Sequence, residues 1–408
     1  MKAIQANFSL GKEVWGRVRS KILHREGASQ GITLQSAEVP EPTLVGHQWV
    51  RVRAIMSGIS GMDEAMILHH DPSPLGAFLS FPFVPGNENF GIVTEVGEEV
   101  RGIEPGERVV VDPLLSCRPR QVQPPCPSCS RGEPSSCRNF AKGVIGPGMM
   151  IGACRDTSGG WGDYFVAHQS QVRRLPQNME SDQAILVPEF ARAVRGVLQH
   201  PPTAGDRVIV MGAGSLGLLT LKALQILGHR AKILVVCTHP FEVDVVRNLS
   251  DADVVLANNP AAVYEEVAAF VNCTVHYPEV GRLTLEGGAD LVYETTGLGD
   301  HIGDALRFAG EGRRVVLMGV NQGSSVDMTP LWFKSVKISG TLFSGRDSHK
   351  GEERETFDIA MDLAADHGLP CSELLTHRFR LEEYERAFNA VADRARSKAI
   401  KVVFQYVV

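Results

Sequence analysis

The feature that most constrains the fold is a glycine-rich turn between an apolar strand and a helix. Residues 208–219 read VIVMGAGSLGLL and place Gly212, Gly214 and Gly217 in the spacing G-x-G-x-x-G. A second apolar run, AKILVVCT, follows the helix and completes a β-α-β unit. In that context the first glycine permits a tight turn, the second lets the backbone approach a pyrophosphate, and the third lets the helix pack closely. We therefore predict a dinucleotide site; a glycine turn without a ligand is the alternative.

The residues after the second strand bear on which nucleotide binds. An NAD site places Asp or Glu about 20 residues beyond the glycines, where it accepts hydrogen bonds from the ribose hydroxyls. This chain has Cys237, Thr238 and His239 there. Without a carboxylate a 2′-phosphate meets no repulsion, and Thr238 and His239 can donate hydrogen bonds to it. The pattern favours NADP(H); an NAD(H) site without its usual anchor is the alternative.

Two kinds of hydrophobic pattern divide the 408 residues. Up to about residue 184, short β-like runs broken by glycine and proline, such as 47–55 and 107–113, indicate a partly closed antiparallel barrel or sandwich. From about residue 185, apolar strands alternate with helices, which predicts a parallel sheet covered on both faces. An amphipathic helix at 352–368 and a final strand follow.

Four of the eight cysteines lie in the segment 117–137, CRPRQVQPPCPSCSRGEPSSC. They are Cys117, Cys126, Cys129 and Cys137. Four thiolates complete a tetrahedral shell around Zn²⁺ and leave no place for water or substrate. We therefore predict one structural zinc that stabilises a loop and performs no chemistry; a set of unrelated thiols is the alternative.

Composition argues against several classes of protein. The net charge is −6 and no dense block of Lys and Arg occurs, so we expect no nucleic-acid surface. No apolar run approaches eighteen residues, so we expect no membrane span. The opening MKAIQANFSL lacks the basic and apolar regions of a signal peptide. A cytoplasmic protein that acts on a small molecule is expected.

These motifs together resemble the zinc-type medium-chain dehydrogenase/reductase family, which includes zinc alcohol, sorbitol and threonine dehydrogenases. The resemblance spans nearly the whole chain and includes PGERVVVDP, GGWGDYFVAH, GADLVYETTG and LLTHRFRLEEYERAFNAV. It implies an α/β protein with a mostly-β GroES-like catalytic domain (1–184 and 345–408) and a Rossmann domain with a doubly wound parallel sheet (185–344). It also implies an NAD(P)-dependent oxidoreductase that forms a homodimer or homotetramer. Eight residues separate Cys117 from Cys126, where the family usually has two.

The resemblance does not extend to the ligands of the family's second, catalytic zinc. Ser60 stands at the usual cysteine of a GxCGxD turn, and Asn87 stands at the usual histidine of a PGHE stretch. In LVPEFARAVRG, the remaining ligand positions hold Pro188 or Glu189, and then Arg192. Hydroxyl and amide groups are poor zinc ligands, and a guanidinium cannot coordinate a cation. We therefore predict that the catalytic zinc is missing.

Arg192 is the candidate replacement for the metal. Its permanent charge would stabilise negative charge on a substrate oxygen, and at rest it could pair with Glu88 or Asp63. An inert ion pair is the alternative for Arg192.

A separate proton donor would be required, because Arg192 does not release a proton at neutral pH. The candidates are His69, His70 and a water held by Ser60 and Asn87; for the histidines, solvated loop residues are the alternative. Glu294 and Thr296 are expected to line the nicotinamide pocket or to cap a strand end.

The leading hypothesis is an oxidoreductase that uses NADP(H), with NAD(H) possible, and no catalytic metal. Without a Lewis acid, alcohol oxidation loses the stabilisation of its alkoxide, whereas hydride delivery to an activated double bond needs less help. An α,β-unsaturated carbonyl or an iminium would qualify. The alternatives are a non-redox cyclase or isomerase, a catalytically silent binding protein, and a conventional zinc-dependent dehydrogenase of alcohols or polyols with unusual ligands.

Overall fold

The structure, a computed structural model, describes residues 1–9, 11, 31–67, 73–320 and 325–406. The chain divides into two compact units. Unit 1 comprises Met1–Pro188, Phe343–Arg346 and Glu353–Val408. Unit 2 comprises Glu189–Leu342 and Asp347–Glu352.

The strands follow one another along the chain as β1 (Lys2–Phe8), β2 (Ile32–Glu38), β3 (Trp49–Gly58), β4 (Glu88–Val96), β5 (Arg108–Val111), β6 (Tyr164–His168), β7 (Val172–Arg174), β8 (Arg207–Met211), β9 (Lys232–Cys237), β10 (Asp253–Leu256), β11 (Thr274–His276), β12 (Thr284–Glu286), β13 (Ala289–Glu294), β14 (Ala309–Leu317), β15 (Lys337–Gly340), β16 (Arg346–His349), β17 (Glu352–Glu355), β18 (His377–Phe379) and β19 (Val402–Gln405).

The helices of the described residues are α1 (Gly61–Ile67), α2 (Pro127–Ser130), α3 (Ser181–Gln199), α4 (Ser215–Ile226), α5 (Pro240–Leu249), α6 (Pro260–Val271), α7 (Gly299–Phe308), α8 (Thr329–Phe333), α9 (Thr356–His367), α10 (Cys371–Leu374), α11 (Tyr384–Ala392) and α12 (Arg394–Ser397). Within the described ranges, no helix is both long enough and apolar enough to cross a membrane.

Unit 1 is organised around the long strand β3. Strand β3 pairs antiparallel with β4, β6 and β19, and the sheet continues from β4 through β5 to β7. Trp49, Val52 and Phe165 are fully buried in the core beneath this sheet. The edge strand β18 pairs parallel with β19, and every other pair in the sheet is antiparallel. This sheet confirms the strand-rich first half that the sequence predicts.

Unit 2 contains a six-stranded sheet in the order β10-β9-β8-β13-β14-β15, and every pair in it is parallel. Strand β8 is apolar after its first residue, Arg207, and Val208, Ile209 and Val210 are fully buried, as expected for a sheet covered on both faces. The chain runs outward from β8 to β10 on one side and from β13 to β15 on the other. The carboxyl ends of β8 and β13 therefore form the switch point where such sheets bind nucleotides.

Candidate active site and metal centre

Four cysteine side chains converge in unit 1. The sulfur atoms of Cys117, Cys126, Cys129 and Cys137 all lie within 4.8 Å of one another. Cys126 directly precedes helix α2, which contains Cys129, and Cys137 directly follows a short 3-10 helix. These two tight turns bring separated positions of the segment together, as a tetrahedral metal site requires.

Hydrogen-bond donors surround these sulfur atoms. The backbone N–H of Cys126 and the side-chain amide of Asn139 donate to Cys117 Sγ at 3.3 and 3.2 Å. The backbone N–H groups of Asn139 and Arg138 donate to Cys137 Sγ and Cys126 Sγ at 3.3 and 3.4 Å. Burial opposes ionisation of Cys126, but the N–H of Arg138 and further donors lower its pKa to about 6. Four converging thiols, three of which accept from these N–H donors, fit a structural Zn²⁺.

A second polar cluster in unit 1 consists of Ser60, Asp63 and Asn87. Asp63 Oδ2 accepts hydrogen bonds from the Ser60 backbone N–H at 2.9 Å, the Ser60 hydroxyl at 2.7 Å and the Asn87 amide at 3.1 Å. The Asn87 amide also donates to Ser60 Oγ at 2.8 Å. All three residues are at least 96% buried, so the three side chains form a closed network away from water.

Burial raises the pKa of Asp63 to about 6, against the opposing effects of the Ser60 hydrogen bonds and the positive charge of Lys401. Its second oxygen, Oδ1, is buried and has no hydrogen-bond partner among the described residues. Asp63 can therefore hold or release a proton near neutral pH.

Glu88 and Lys401 form a buried ion pair beside this cluster in unit 1. Glu88 Oε2 contacts Lys401 Nζ, and the two residues are 5% and 2% exposed. A Cβ placed on Gly58 would lie 2.3 Å from Glu88 Oε2, so the carboxylate fits only because residue 58 lacks a side chain. Lys401 is thus the ion-pair partner of Glu88, one of the two acids that were expected to pair with Arg192.

The glycine turn of unit 2 lies at the carboxyl end of β8, as the sequence predicts. Gly212 has a φ of +97°, and a Cβ there would lie 2.5 Å from the Thr296 side chain. Gly214 precedes helix α4, and a Cβ on Gly217 would lie 2.0 Å from the Gly212 carbonyl oxygen. The chain therefore packs against itself at two of the three glycines, and the N-cap residue Gly214 brings no side chain to the start of α4, which fits the close approach of a nucleotide pyrophosphate.

Glu294 ends strand β13 and stabilises the turn that faces the glycines. Its buried carboxylate accepts hydrogen bonds from the backbone N–H groups of Thr296 at 2.8 Å and Gly297 at 3.0 Å, and it contacts the Thr296 hydroxyl. Burial raises the pKa of Glu294. Glu294 and Thr296 were expected either to line the nicotinamide pocket or to cap a strand end, and these hydrogen bonds show the strand cap.

At the end of β9, the structure adds a carboxylate that the sequence analysis did not anticipate. Glu242, in the first turn of α5, accepts hydrogen bonds from the backbone N–H groups of Thr238 at 2.7 Å and His239 at 3.0 Å. Cys237 is fully buried, and burial together with the charge of Glu242 raises its pKa to about 12. The premise that no carboxylate lies here was therefore wrong, because the first turn of α5 folds back onto the strand end.

Arg192 and Glu189 lie on helix α3 and make their described contacts within unit 2. Arg192 is 8% exposed, and its Nη2 donates to the carbonyl oxygen of Met318, just after β14. Glu189 accepts a hydrogen bond from Ser215 Oγ, in the residue that begins α4. Both side chains therefore stabilise the backbone around the nucleotide site, and a catalytic role for Arg192 stays a prediction.

Two family descriptions match this chain. "Alcohol dehydrogenase GroES-like domain" matches residues 46–177, and "Zinc-binding dehydrogenase" matches residues 215–366. The chain belongs to the zinc-type medium-chain dehydrogenase/reductase superfamily. It is an NAD(P)-dependent oxidoreductase with a GroES-like domain and a Rossmann domain, which confirms the predicted fold and enzyme class.

Several dehydrogenases of this superfamily are similar over nearly their whole length. L-threonine 3-dehydrogenase of Klebsiella pneumoniae is 26% identical over 383 residues, which is 93% of this chain and 98% of that protein. A zinc-binding dehydrogenase from Sinorhizobium meliloti, bound to NADP, gives a TM-score of 0.68 at 24% identity and covers 99% of this chain and 100% of that one. A short chain alcohol dehydrogenase from Escherichia coli, complexed with NADH, gives 0.71 at 20% identity and covers 100% and 99%.

The superfamily's catalytic zinc does not fit the side chains at Ser60 and Asn87. A zinc site with an open position usually has three His, Cys or carboxylate ligands, whereas this pair offers a hydroxyl and an amide already hydrogen-bonded to each other. Among the described residues, the four cysteines are the only group of three or more His, Cys, Asp or Glu residues whose ligand atoms converge. His69 and His70 lie outside the described residues.

Two residues of these sites, Glu242 and Lys401, were not predicted from the sequence. Glu242 could have been found from its position three residues after His239 at a helix start, which is the capping-box spacing. Lys401 carries a weaker signal, a lysine just before the buried strand β19. Its partner Glu88 lies far away in sequence, so no local pattern reveals the pair.

Proposed function

We propose that this protein is an NAD(P)H-dependent reductase of an activated double bond in a small molecule, acting without a catalytic zinc. The α,β-unsaturated carbonyls and iminium ions are the substrate classes. The observation that carries the proposal is the closed network of Ser60, Asp63 and Asn87, in which a hydroxyl and an amide replace two metal ligands.

The network favours reduction over alcohol oxidation for a physical reason. Alcohol oxidation develops negative charge on the substrate oxygen, and a zinc ion usually stabilises that charge. Ser60 and Asn87 offer only neutral groups, so they support a reaction whose acceptor is already polarised. The nicotinamide nucleotide, when bound, supplies the hydride.

The same network would supply the proton that completes the reduction. We assign Asp63 as the acid because its pKa is raised to about 6, and Ser60 as the hydroxyl that passes the proton on. Hydride addition to an iminium ion gives a neutral amine and needs no proton. Hydride addition to an α,β-unsaturated carbonyl leaves an enolate, and its α carbon takes the proton of Ser60 Oγ. Asp63 then returns a proton to Ser60. We also propose that the permanent positive charge of Arg192 stabilises the negative charge of the enolate.

The test is to assay oxidation of NADH and NADPH with unsaturated aldehydes, unsaturated ketones and cyclic iminium ions, and to assay alcohols and polyols in the reverse direction. We expect turnover with an unsaturated acceptor. Replacement Asp63→Asn should lower kcat by about 10²-fold, the usual size of a general-acid contribution. Asp366→Asn, an exposed acid on α9, is the matched control and should leave kcat unchanged.

A conventional zinc-dependent dehydrogenase is the second candidate, because L-threonine 3-dehydrogenase is among the similar proteins. It would oxidise an alcohol with NAD(P)⁺ and lose that activity when a chelator removes a second, exchangeable zinc. Such a result would contradict the assignment of Asp63 and Ser60.

A further inference from the structure

We propose that Glu242 selects the nucleotide, because its carboxylate occupies the position that a 2′-phosphate would need, so that the protein prefers NAD(H) to NADP(H). This reverses the preference that the sequence pattern favours. It concerns binding alone and does not depend on which substrate is reduced.

Glu242 lies at the part of the sheet where the adenosine ribose binds in Rossmann domains. Strands β8 and β9 are parallel neighbours, and the backbone N–H of Gly212 donates to the Val236 carbonyl at 2.9 Å. The residues after β9 therefore lie directly beside the glycine turn. A carboxylate at this place accepts hydrogen bonds from the ribose 2′-hydroxyl, and an arginine nearby would instead accommodate a 2′-phosphate.

The Glu242 carboxylate already uses the N–H groups that a phosphate would bind. Its Oε2 accepts from both Thr238 and His239, at 2.7 and 3.0 Å, where the chain enters α5. Backbone N–H groups at a helix start are the usual ligands of a phosphate. Since Glu242 is 5% exposed, its charge is held in place, and a 2′-phosphate would have to displace it or lie beside it.

Within the part of the chain that the structure describes, the one cation that acts on the Cys237 thiol beside Glu242 is the exposed Arg247, in the last turn of α5, and its effect is smaller than that of Glu242. Residues 237–244, CTHPFEVD, contain two acids and neither Lys nor Arg. The neighbouring Cys237 thiol is buried and contributes no positive charge. His239 is the one basic side chain in this segment. Like charges at hydrogen-bonding distance disfavour each other strongly when they are shielded from water.

The test is to measure Kd for NADH and for NADPH by nucleotide fluorescence, with no substrate present, in the wild-type protein and in Glu242→Gln. Glutamine keeps an oxygen that can accept from Thr238 and His239, so the cap is retained while the charge is lost. Asp244→Asn, an exposed acid two residues further along α5, is the matched control.

We expect the wild-type protein to bind NADH at least about tenfold more tightly than NADPH, and Glu242→Gln to reduce that ratio by about tenfold, a free-energy change of ~1.4 kcal/mol. Asp244→Asn should change the ratio less than about twofold. Tighter wild-type binding of NADPH would overturn the proposal, and so would an unchanged ratio in Glu242→Gln. Because each ratio compares two ligands on one protein sample, partial unfolding of a variant cannot produce the expected result. Failure to reduce unsaturated carbonyls would refute the proposed function but leave these ratios untouched.

Discussion

The side-chain amide of Asn87 donates to the hydroxyl of Ser60 at 2.8 Å, at two positions where the superfamily usually has zinc ligands. Asp63 accepts from both side chains, so the donors and acceptors of this buried cluster largely satisfy one another. A metal ion would have to break these bonds and would gain only neutral oxygen and nitrogen ligands from Ser60 and Asn87. These bonds support the proposal that the cluster transfers a proton and binds no metal.

Removing the positive member of the buried ion pair should destabilise unit 1. Lys401→Met leaves the Glu88 carboxylate buried without its cation, and we expect a loss of about 3–5 kcal/mol in the free energy of unfolding. The double replacement Glu88→Gln with Lys401→Met should recover much of that loss, because neither charge of the pair remains. Chemical denaturation of the three proteins measures the effect. Equal stability of Lys401→Met and the wild type would contradict the described pairing.

Asp63 should make stability depend on pH in a defined direction. Its folded-state pKa of about 6 lies above the ordinary aspartate value of 3.8, so the folded protein binds the proton more tightly than the unfolded chain. Proton binding by Asp63 therefore stabilises the folded state by ~3 kcal/mol. This stabilisation is fully present below pH 4 and is lost as pH rises through 6.

The comparison with Asp63→Asn isolates that contribution, because asparagine does not titrate. Between pH 4 and 7, the Tm of the wild type should fall relative to the Tm of Asp63→Asn. A constant difference in Tm over this range would show that Asp63 keeps an ordinary pKa.

Asn139 should control how firmly the cysteine cluster holds zinc. Its amide and its backbone N–H donate to Cys117 Sγ and Cys137 Sγ, and such contacts typically change metal affinity by about 10–100-fold. Asn139→Ala removes the side-chain donor and should speed zinc release to a chelator. Ser130→Ala, an exposed residue on α2, is the control and should release zinc at the wild-type rate.

Gly217→Ala should abolish nucleotide binding. A Cβ at that position would lie 2.0 Å from the Gly212 carbonyl oxygen, so the glycine turn and α4 would have to separate. Gly340→Ala in β15 is the control, because no atom lies within 4 Å of its added Cβ. Retained NADH affinity in Gly217→Ala would show that the turn does not hold the pyrophosphate.

The parts of the fold and site that follow from short-range spacing could be predicted from the sequence. Gly212, Gly214 and Gly217 lie within one turn, and the cysteines lie within one segment, so their spacing predicts where they meet. The partners of buried charges could not be predicted this way. Glu88 meets Lys401, and Arg192 meets the Met318 carbonyl, because distant strands and helices pack together. The oligomeric state stays a prediction from the resemblance.

The measurement that tests the central claim most directly is zinc per chain by elemental analysis, on protein purified without chelator or added metal. The wild type should contain one zinc, which Cys126→Ser should lose and Cys371→Ser, a cysteine outside the cluster, should retain. Such a result would leave the site of Ser60, Asp63 and Asn87 free of metal. Two zincs per chain, with one surviving in Cys126→Ser, would contradict the account and make the protein a conventional zinc dehydrogenase.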